Sequence, residues 1–335
     1  MKSLVLQEDS QEKLVVKDSP RPALKEGEAL VRIQAAALNH RDQWCRVGMY
    51  PGLRYPSILG SDGCGVVEEV AEGVDQAWLG QEVILNPNVN WGSDPEFQGY
   101  NYSILGMPTN GTLAEYIAVP AHRLHAKPSH LSAEEAAALP LAGLTAFRAV
   151  FRKGGVKSGD LVLITGIGGG VALFALQFCV AVGAKAYVSS GHEAKIEKAL
   201  ALGAAGGFLY KEEKWTKGLA KVAPLGFQAI IDGAGGPDFG EVAKMLAPAG
   251  NLVVYGTTAG NPSPIHIPRL FFSQANIKGS TMGNDQEFAD MVAFVAAHEI
   301  KPIVSSVRPF AEAISAFDEM AAGGQFGKLV IRVSE

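Results

Sequence analysis

Two patterns of apolar positions divide the chain. Up to about residue 130, short alternating or apolar runs recur at 29–34, 65–70, 82–85 and 114–119, separated by prolines and glycines. Short strands punctuated in this way predict a small β-barrel or sandwich. Residues 86–112 are polar, aromatic and nearly unpatterned. A loop of that length in a compact domain is usually functional, or the relic of something once anchored.

From Ser132 the period changes. Ser132 with Glu135 three residues on is a capping-box signature and predicts a helix over 132–151. Apolar runs at 161–165, 185–189, 206–209, 228–232, 251–255 and 276–281 then alternate with helical stretches, notably 193–202 and 239–246. Such alternation predicts six strands of a doubly wound α/β sheet. After Gly283, a helix over 286–298 leads to a last β segment at 328–333, expected to return to the first domain. The expected division is 1–130 with 284–335 against 131–283, the second domain being an insertion in the first.

The stretch 161–182 carries the first chemical signal. Leu161-Val162-Leu163-Ile164 reads as a strand buried on both faces, glycines follow, and Val171 to Val182 is apolar nearly all round. Strand, glycine turn and buried helix open a dinucleotide-binding unit, in which the turn approaches a pyrophosphate and aims free helix N–H groups at it. Gly166, Gly169 and Ala172 fit a G-x-x-G-x-x-A frame, whereas G-x-G-x-x-G would need a glycine at Val171. A purely steric glycine turn is the alternative, but the second strand that follows favours nucleotide binding. The expected cofactor residues are Gly166, Gly168, Gly169, Gly170 and Val171, joined by Gly256 just past the run 251–255.

Which nucleotide follows from charge. NAD-preferring enzymes place an Asp or Glu about 20 residues past the glycine turn, where it binds the ribose 2′-hydroxyl and repels a 2′-phosphate. Here the second strand ends Val188-Ser189-Ser190-Gly191-His192, with no acid until Glu193. Ser190 can donate to a phosphate and Lys195 can neutralise it, so NADPH (NADP) is expected in preference to NADH.

Composition narrows the class. At 335 residues the chain is long enough for two domains, and 47% hydrophobic with 19% charged residues is ordinary globular composition. A net charge of -5 without a Lys/Arg run argues against nucleic acid as the main partner. Cys45, Cys64 and Cys179 are too few and too scattered for a disulfide framework and read as small buried thiols. No signal-peptide core follows Met1, and the helix beginning at Val171 is too short to span a membrane, so a cytoplasmic location is expected.

Several motifs together resemble the medium-chain dehydrogenase/reductase superfamily, in its zinc-free, quinone-reductase-like branch. They are Leu38-Asn39-His40-Arg41-Asp42 with Arg46-Val47-Gly48-Met49-Tyr50-Pro51, and Gly60-Ser61-Asp62-Gly63-Cys64-Gly65-Val66-Val67. Leu139-Pro140-Leu141-Ala142-Gly143-Leu144-Thr145-Ala146, Ile231-Asp232-Gly233-Ala234-Gly235-Gly236, Gly279-Ser280-Thr281-Met282-Gly283 and Gln325-Phe326-Gly327-Lys328 complete the set. The resemblance implies a GroES-like barrel joined to a Rossmann domain, with the active site in the cleft between them. It also implies a homodimer paired through the strand near 276–281, and a phosphate contact from Lys195 and Tyr210.

Zinc-using relatives hold a catalytic ion with two cysteines and a histidine, and the matching positions here are Asn39, Ser61 and Leu141. None offers a thiolate, imidazole or carboxylate. The lobe matching 86–112 carries four cysteines in those relatives and none here, so no metal is expected; a rebuilt site from His40, Asp42 and Asp62 is the alternative. Without a metal to hold an alkoxide, the cheaper chemistry is hydride addition to a conjugated carbon, whose charge spreads into an enolate or hydroquinone held by hydrogen-bond donors. Asn39 and Tyr50 are the candidate donors near the carbonyl oxygen, and Thr145 is placed near the nicotinamide. Asn39 capping a turn and Tyr50 as a rim aromatic are the plainer readings. The expected function is a zinc-independent NADPH-dependent reductase of quinones or α,β-unsaturated carbonyls. An NADPH-binding protein without turnover and a carbonyl or alcohol dehydrogenase are the alternatives.

Overall fold

The computed structural model describes residues 1–10 and 12–334. The chain divides into two compact units, Met1–Ala142 with Gly283–Glu335, and Gly143–Met282. The first junction falls later than the expected 130/131, because the helix Ala133–Ala137 packs on the strands Glu28–Ala37 and Asp62–Val70 of the first unit. Gly283 likewise belongs to the first unit.

In the first unit one long strand organises the rest. Glu28–Ala37 carries Asp62–Val70 antiparallel along one edge. Its other edge is shared: Tyr116–Pro120 pairs with Glu28 to Arg32, and Lys328–Arg332 pairs with Ala35 to Ala37. The last β segment therefore does return to the first unit, and Val304–Pro309 adds to it in parallel. Alternate side chains of these strands meet in a core that includes Val31, Ile33, Leu85, Leu113, Ile117 and Phe317. Truncating the fully buried Phe317 to alanine would cost about 3–5 kcal/mol in transfer and cavity terms.

Residues 86–112 are not a featureless loop. Asn88–Val89 pairs with Ser103–Ile104, and Trp91 is buried with its indole N–H donating to the Asp94 carbonyl at 2.8 Å. The buried Arg123 guanidinium donates to the Asn86 and Asn88 carbonyls. The segment is held by single aromatic and cationic anchors, which leave no periodic trace in the sequence.

The second unit is a six-stranded sheet, parallel throughout, that positions the glycine turn. Its strands are Leu161–Ile164, Lys185–Ser190, Gly206–Leu209, Phe227–Asp232, Leu246–Val254 and Asn276–Gly279. In space they run third, second, first, fourth, fifth, sixth. This is the doubly wound dinucleotide-binding order, with the reversal beside the first strand. The helix expected over 132–151 is broken. Ser132 does cap it, with the Glu135 box formed, but Pro140 lacks an N–H and starts a new helix, Pro140–Phe147, followed by a π-helical stretch, Arg148–Lys153. Among the described residues, no helix is long and apolar enough to cross a membrane.

Candidate functional site

The glycine turn in the second unit has the geometry of an anion cradle. Gly169 caps the helix Gly170–Ala181 without any side-chain hydrogen bond, and Val171 lies in its first turn. The first N–H groups of this twelve-residue helix therefore have no internal acceptor. A Cβ on Gly166 or Gly169 would meet nothing within 4 Å, so the turn is open above both residues. Gly168 has φ +139 and lies under Lys195: a Cβ there would stand 3.0 Å from Lys195 Cδ and 3.3 Å from its Nζ.

The end of the second strand joins this turn. The Ile167 N–H donates to the Ser189 carbonyl at 2.8 Å, and the Tyr210 N–H donates to the Ser190 carbonyl at 3.1 Å. Ser190 is buried, and its Oγ accepts the His192 N–H at 3.1 Å. Tyr210 folds over Gly191, where a Cβ would meet its hydroxyl at 2.6 Å. Ser190, Lys195 and Tyr210, spread over 21 positions of sequence, are thus brought to one side of the glycine turn. Gly256 sits further along, against Gly233. Thr145 is buried on the helix Pro140–Phe147, its hydroxyl 3.8 Å from Met282 Sδ.

In the first unit, the helix His40–Arg46 begins at Asn39, whose backbone N–H donates to Asp42 Oδ2 at 2.9 Å. Asn39 does cap a turn, as its plainer reading held, but its side chain is engaged elsewhere. Its Nδ2 donates to Asp62 Oδ2 at 2.9 Å, and its Oδ1 accepts from Lys328 Nζ at 2.5 Å. Lys328 Nζ also donates to Asp62 Oδ2 at 2.9 Å, and the Leu141 backbone N–H donates to Asp62 Oδ1 at 2.8 Å. Three polar side chains from positions 39, 62 and 328 so form a closed, buried triangle.

A second cluster adjoins it in sequence. Arg41 donates to Ser61 Oγ at 2.6 Å and to the Leu105 and Met107 carbonyls, and its Nε reaches the Tyr50 hydroxyl at 3.3 Å. Its guanidinium also lies over the Tyr50 ring, 4.6 Å from the centroid. Crowding by protein and the charge of Lys328 hold the His40 imidazole below its ordinary pKa. Burial pushes the Asp42 carboxyl up despite Arg41 and the Asn39 N–H. Cys45, Cys64 and Cys179 are buried free thiols, each pushed up to about 12 by burial, so none is a thiolate near neutral pH.

These donors do not suit zinc. Asn39 Oδ1 faces an ammonium, Ser61 Oγ accepts from a guanidinium and donates to the Leu105 carbonyl at 2.8 Å, and Leu141 contributes only its backbone. Lys328 and Arg41 set two cations directly against Asn39 and Ser61, and their charge opposes a further cation there. Among the described residues, no three His, Cys, Asp or Glu side chains group as a metal would require, the set His40, Asp42 and Asp62 included.

Lys328 and Arg41 were not among the candidate site residues, and Asp62 entered only as a member of the alternative metal set, although all three lie in the motifs that carry the resemblance. A lysine opening an apolar strand looks like a solvated strand end until strand pairing sets it beside residues 39 and 62. In the second unit, Asp232 was likewise missed: it accepts from Thr165 Oγ1 at 2.5 Å and from the Gly235 N–H at 2.9 Å, and burial raises its pKa.

A nucleotide-type parallel sheet with an open glycine turn, joined in one chain to a small β unit holding a buried polar cluster, defines a nicotinamide-dependent oxidoreductase. The alcohol dehydrogenase GroES-like domain family matches residues 25–129, and the zinc-binding dehydrogenase family matches residues 170–297. The zinc-type alcohol dehydrogenase-like protein YogA of Leptosphaeria maculans is 40% identical over 332 residues, 93% of this chain and 92% of that protein. Acryloyl-coenzyme A reductase of Sulfurisphaera tokodaii is 28% identical, covering 95% of this chain and 96% of the reductase. A crystal structure of an NAD-dependent alcohol dehydrogenase superposes with a TM-score of 0.94 at 35% identity, over 100% of both chains. The chain belongs to the medium-chain dehydrogenase/reductase superfamily.

Proposed function

We propose that the protein is a zinc-independent, NADPH-dependent reductase that adds hydride to a quinone or to the β-carbon of an α,β-unsaturated carbonyl. The observation that carries this reading is the Asn39–Asp62–Lys328 triangle beside the Arg41–Ser61 contact, which engage Asn39 and Ser61, two of the positions that the resemblance matches to metal ligands. A cluster of N–H donors with one carboxylate for its countercharge can hold an oxyanion as it develops, and an enolate or hydroquinone, whose charge is already spread by conjugation, needs less such help than an alkoxide. The relative named acryloyl-coenzyme A reductase supports the same chemistry.

NADPH, when bound, supplies a hydride from C4 of its nicotinamide. As the new C–H bond forms, the conjugated π pair moves onto the substrate oxygen, and a proton from water or from Tyr50 completes the reduction. Arg41 Nε donates to the Tyr50 oxygen, which leaves the phenolic proton free to be given outward. The side chains of Ser190, Lys195 and Tyr210 around the turn support NADPH, since they offer a hydroxyl, a cation and a phenol and no acid.

The test is a panel of 2-enals, 2-enones and quinones with NADPH or NADH, run beside secondary alcohols with NAD. Turnover of conjugated acceptors with NADPH, undiminished by a chelator, is the expected result. Alcohol oxidation with NAD is the second reading, favoured by the likeness to an NAD-dependent alcohol dehydrogenase, and would appear as activity confined to the alcohols. We also propose a homodimer joined along Asn276–Gly279, an outer strand whose Ile277 is exposed.

A further inference from the structure

The triangle around Asp62 contains more donor capacity than its carboxylate can use. Asp62 Oδ2 accepts from Asn39 Nδ2 and Lys328 Nζ, and Oδ1 accepts from the Leu141 N–H. Lys328 gives its other hydrogen bond to Asn39 Oδ1. An ammonium has three N–H groups and a carboxamide nitrogen two. One N–H of Lys328 and one of Asn39 therefore lack a protein acceptor among the described residues. Asp62 is fully covered, whereas Asn39 and Lys328 keep 6% and 4% of their surface exposed. Of the three residues, only the two that donate keep any exposed surface.

Stability alone does not explain this arrangement. Replacing a buried ion pair by well-packed uncharged residues of similar volume is often neutral for stability or stabilising. The polar alternative here is simple: an asparagine at 62 and an apolar residue at 328 would keep the Leu141 bond to position 62 and reverse the Asn39 bond, the new carboxamide nitrogen donating to Asn39 Oδ1.

We infer that Lys328 is a positioning residue for the reaction. Its ammonium fixes the Asn39 carboxamide through Oδ1 and polarises it, so that the second Asn39 N–H, backed by the lysine charge, holds the oxygen on which negative charge develops. Asp62 orients both groups and balances the charge at rest. This rests on the reading that the reaction builds charge on a substrate oxygen, and it holds equally for an enolate or an alkoxide.

The experiment compares wild type, Lys328→Met, Asp62→Asn and the double variant. Each is measured for thermal unfolding, NADPH binding, and kcat and KM on a 2-enone with NADPH. Lys328→Met strands the Asp62 carboxylate and is expected to lose both stability and activity. The double variant removes both charges; it is expected to unfold near the wild-type temperature and to bind NADPH normally. Its kcat should nonetheless stay down roughly a hundredfold, with KM changed by less than about threefold. A double variant that regains wild-type kcat together with its stability shows that Lys328 only neutralises Asp62, and overturns the inference. If wild type fails on conjugated acceptors but oxidises alcohols with NAD, the reductase reading is lost, and the same four proteins judge Lys328 on alcohol oxidation by the same pattern. Wild type inactive in both directions overturns the two readings together.

Discussion

The nucleotide preference yields to one substitution, Ser190→Asp. Ser190 is 2% exposed, and its Oγ accepts the His192 N–H at 3.1 Å. An aspartate carboxylate can accept the same N–H, so the turn keeps its local bond while gaining a negative charge. A carboxylate about 5 Å from a 2′-phosphate, at an effective dielectric near 20, is repelled by about 3 kcal/mol per unit of phosphate charge. Screening by salt at the open side of the turn lowers this to about 2 kcal/mol, roughly thirtyfold in affinity. NADH has no phosphate there and gains a hydrogen-bond acceptor for its 2′-hydroxyl, so its binding should hold or improve. Lys195→Ala removes a half-exposed cation and should cost NADPH about 1.5 kcal/mol, close to tenfold, with little effect on NADH. Dissociation constants for both nucleotides, measured by quenching of tryptophan fluorescence, give the ratio directly. A wild type that binds NADH more tightly, or variants whose ratio equals that of wild type, would refute the phosphate-site reasoning.

Lys195 also sets a pH dependence: burial and the neighbouring Lys198 hold its ammonium below the ordinary lysine value, and a bound phosphate draws it back up. As pH rises through the lowered value, NADPH binding must take up a proton and weaken while NADH binding stays flat, which titrations from about pH 7 to about pH 10 will show or exclude. Tyr50→Phe keeps the ring under Arg41 but removes the hydroxyl proposed as a proton donor; if that proposal holds, kcat should fall roughly ten- to hundredfold with the unfolding temperature nearly unchanged, and an unaltered kcat would assign Tyr50 to the rim. Protein purified without added zinc is expected to carry substoichiometric metal and to keep its activity in chelator, and elemental analysis showing one zinc per chain, lost together with activity, would sink the zinc-independent proposal. Sedimentation at micromolar concentration should give a dimer; a monomer removes the pairing proposed along Asn276–Gly279.

Local physics made the second unit legible. Its central strands are buried in a parallel sheet and so appear as apolar runs, and all six predicted segments coincide with observed strands to within a few residues, apart from the earlier start of Leu246–Val254. The capping box at Ser132 and Glu135 was equally readable, because a cap involves only residues three positions apart. The break at Pro140 was in plain view too, and the apolar period merely masked it.

The first unit shows where such reading stops. Its short edge strands, such as Ser57–Ile58 and Asn88–Val89, have two residues each and no periodicity to find. The lobe over 86–112 depends on Trp91 and on Arg123, a cation recruited from outside the segment.

The sequence by itself determined the glycine turn and the missing acid after Ser190, since these depend on residue identity at short spacing, and the family resemblance pointed to the residue types at 39, 61 and 141. Only the tertiary structure decided that Lys328 closes on Asn39 and Asp62, across 289 and 266 positions of chain. That meeting follows from Lys328–Arg332 pairing with the end of Glu28–Ala37, and strand pairing over such a separation leaves no local pattern. Burial then makes the contact consequential: away from water the ammonium needs both partners, and their bonds to it fix where the remaining donors of the cluster lie.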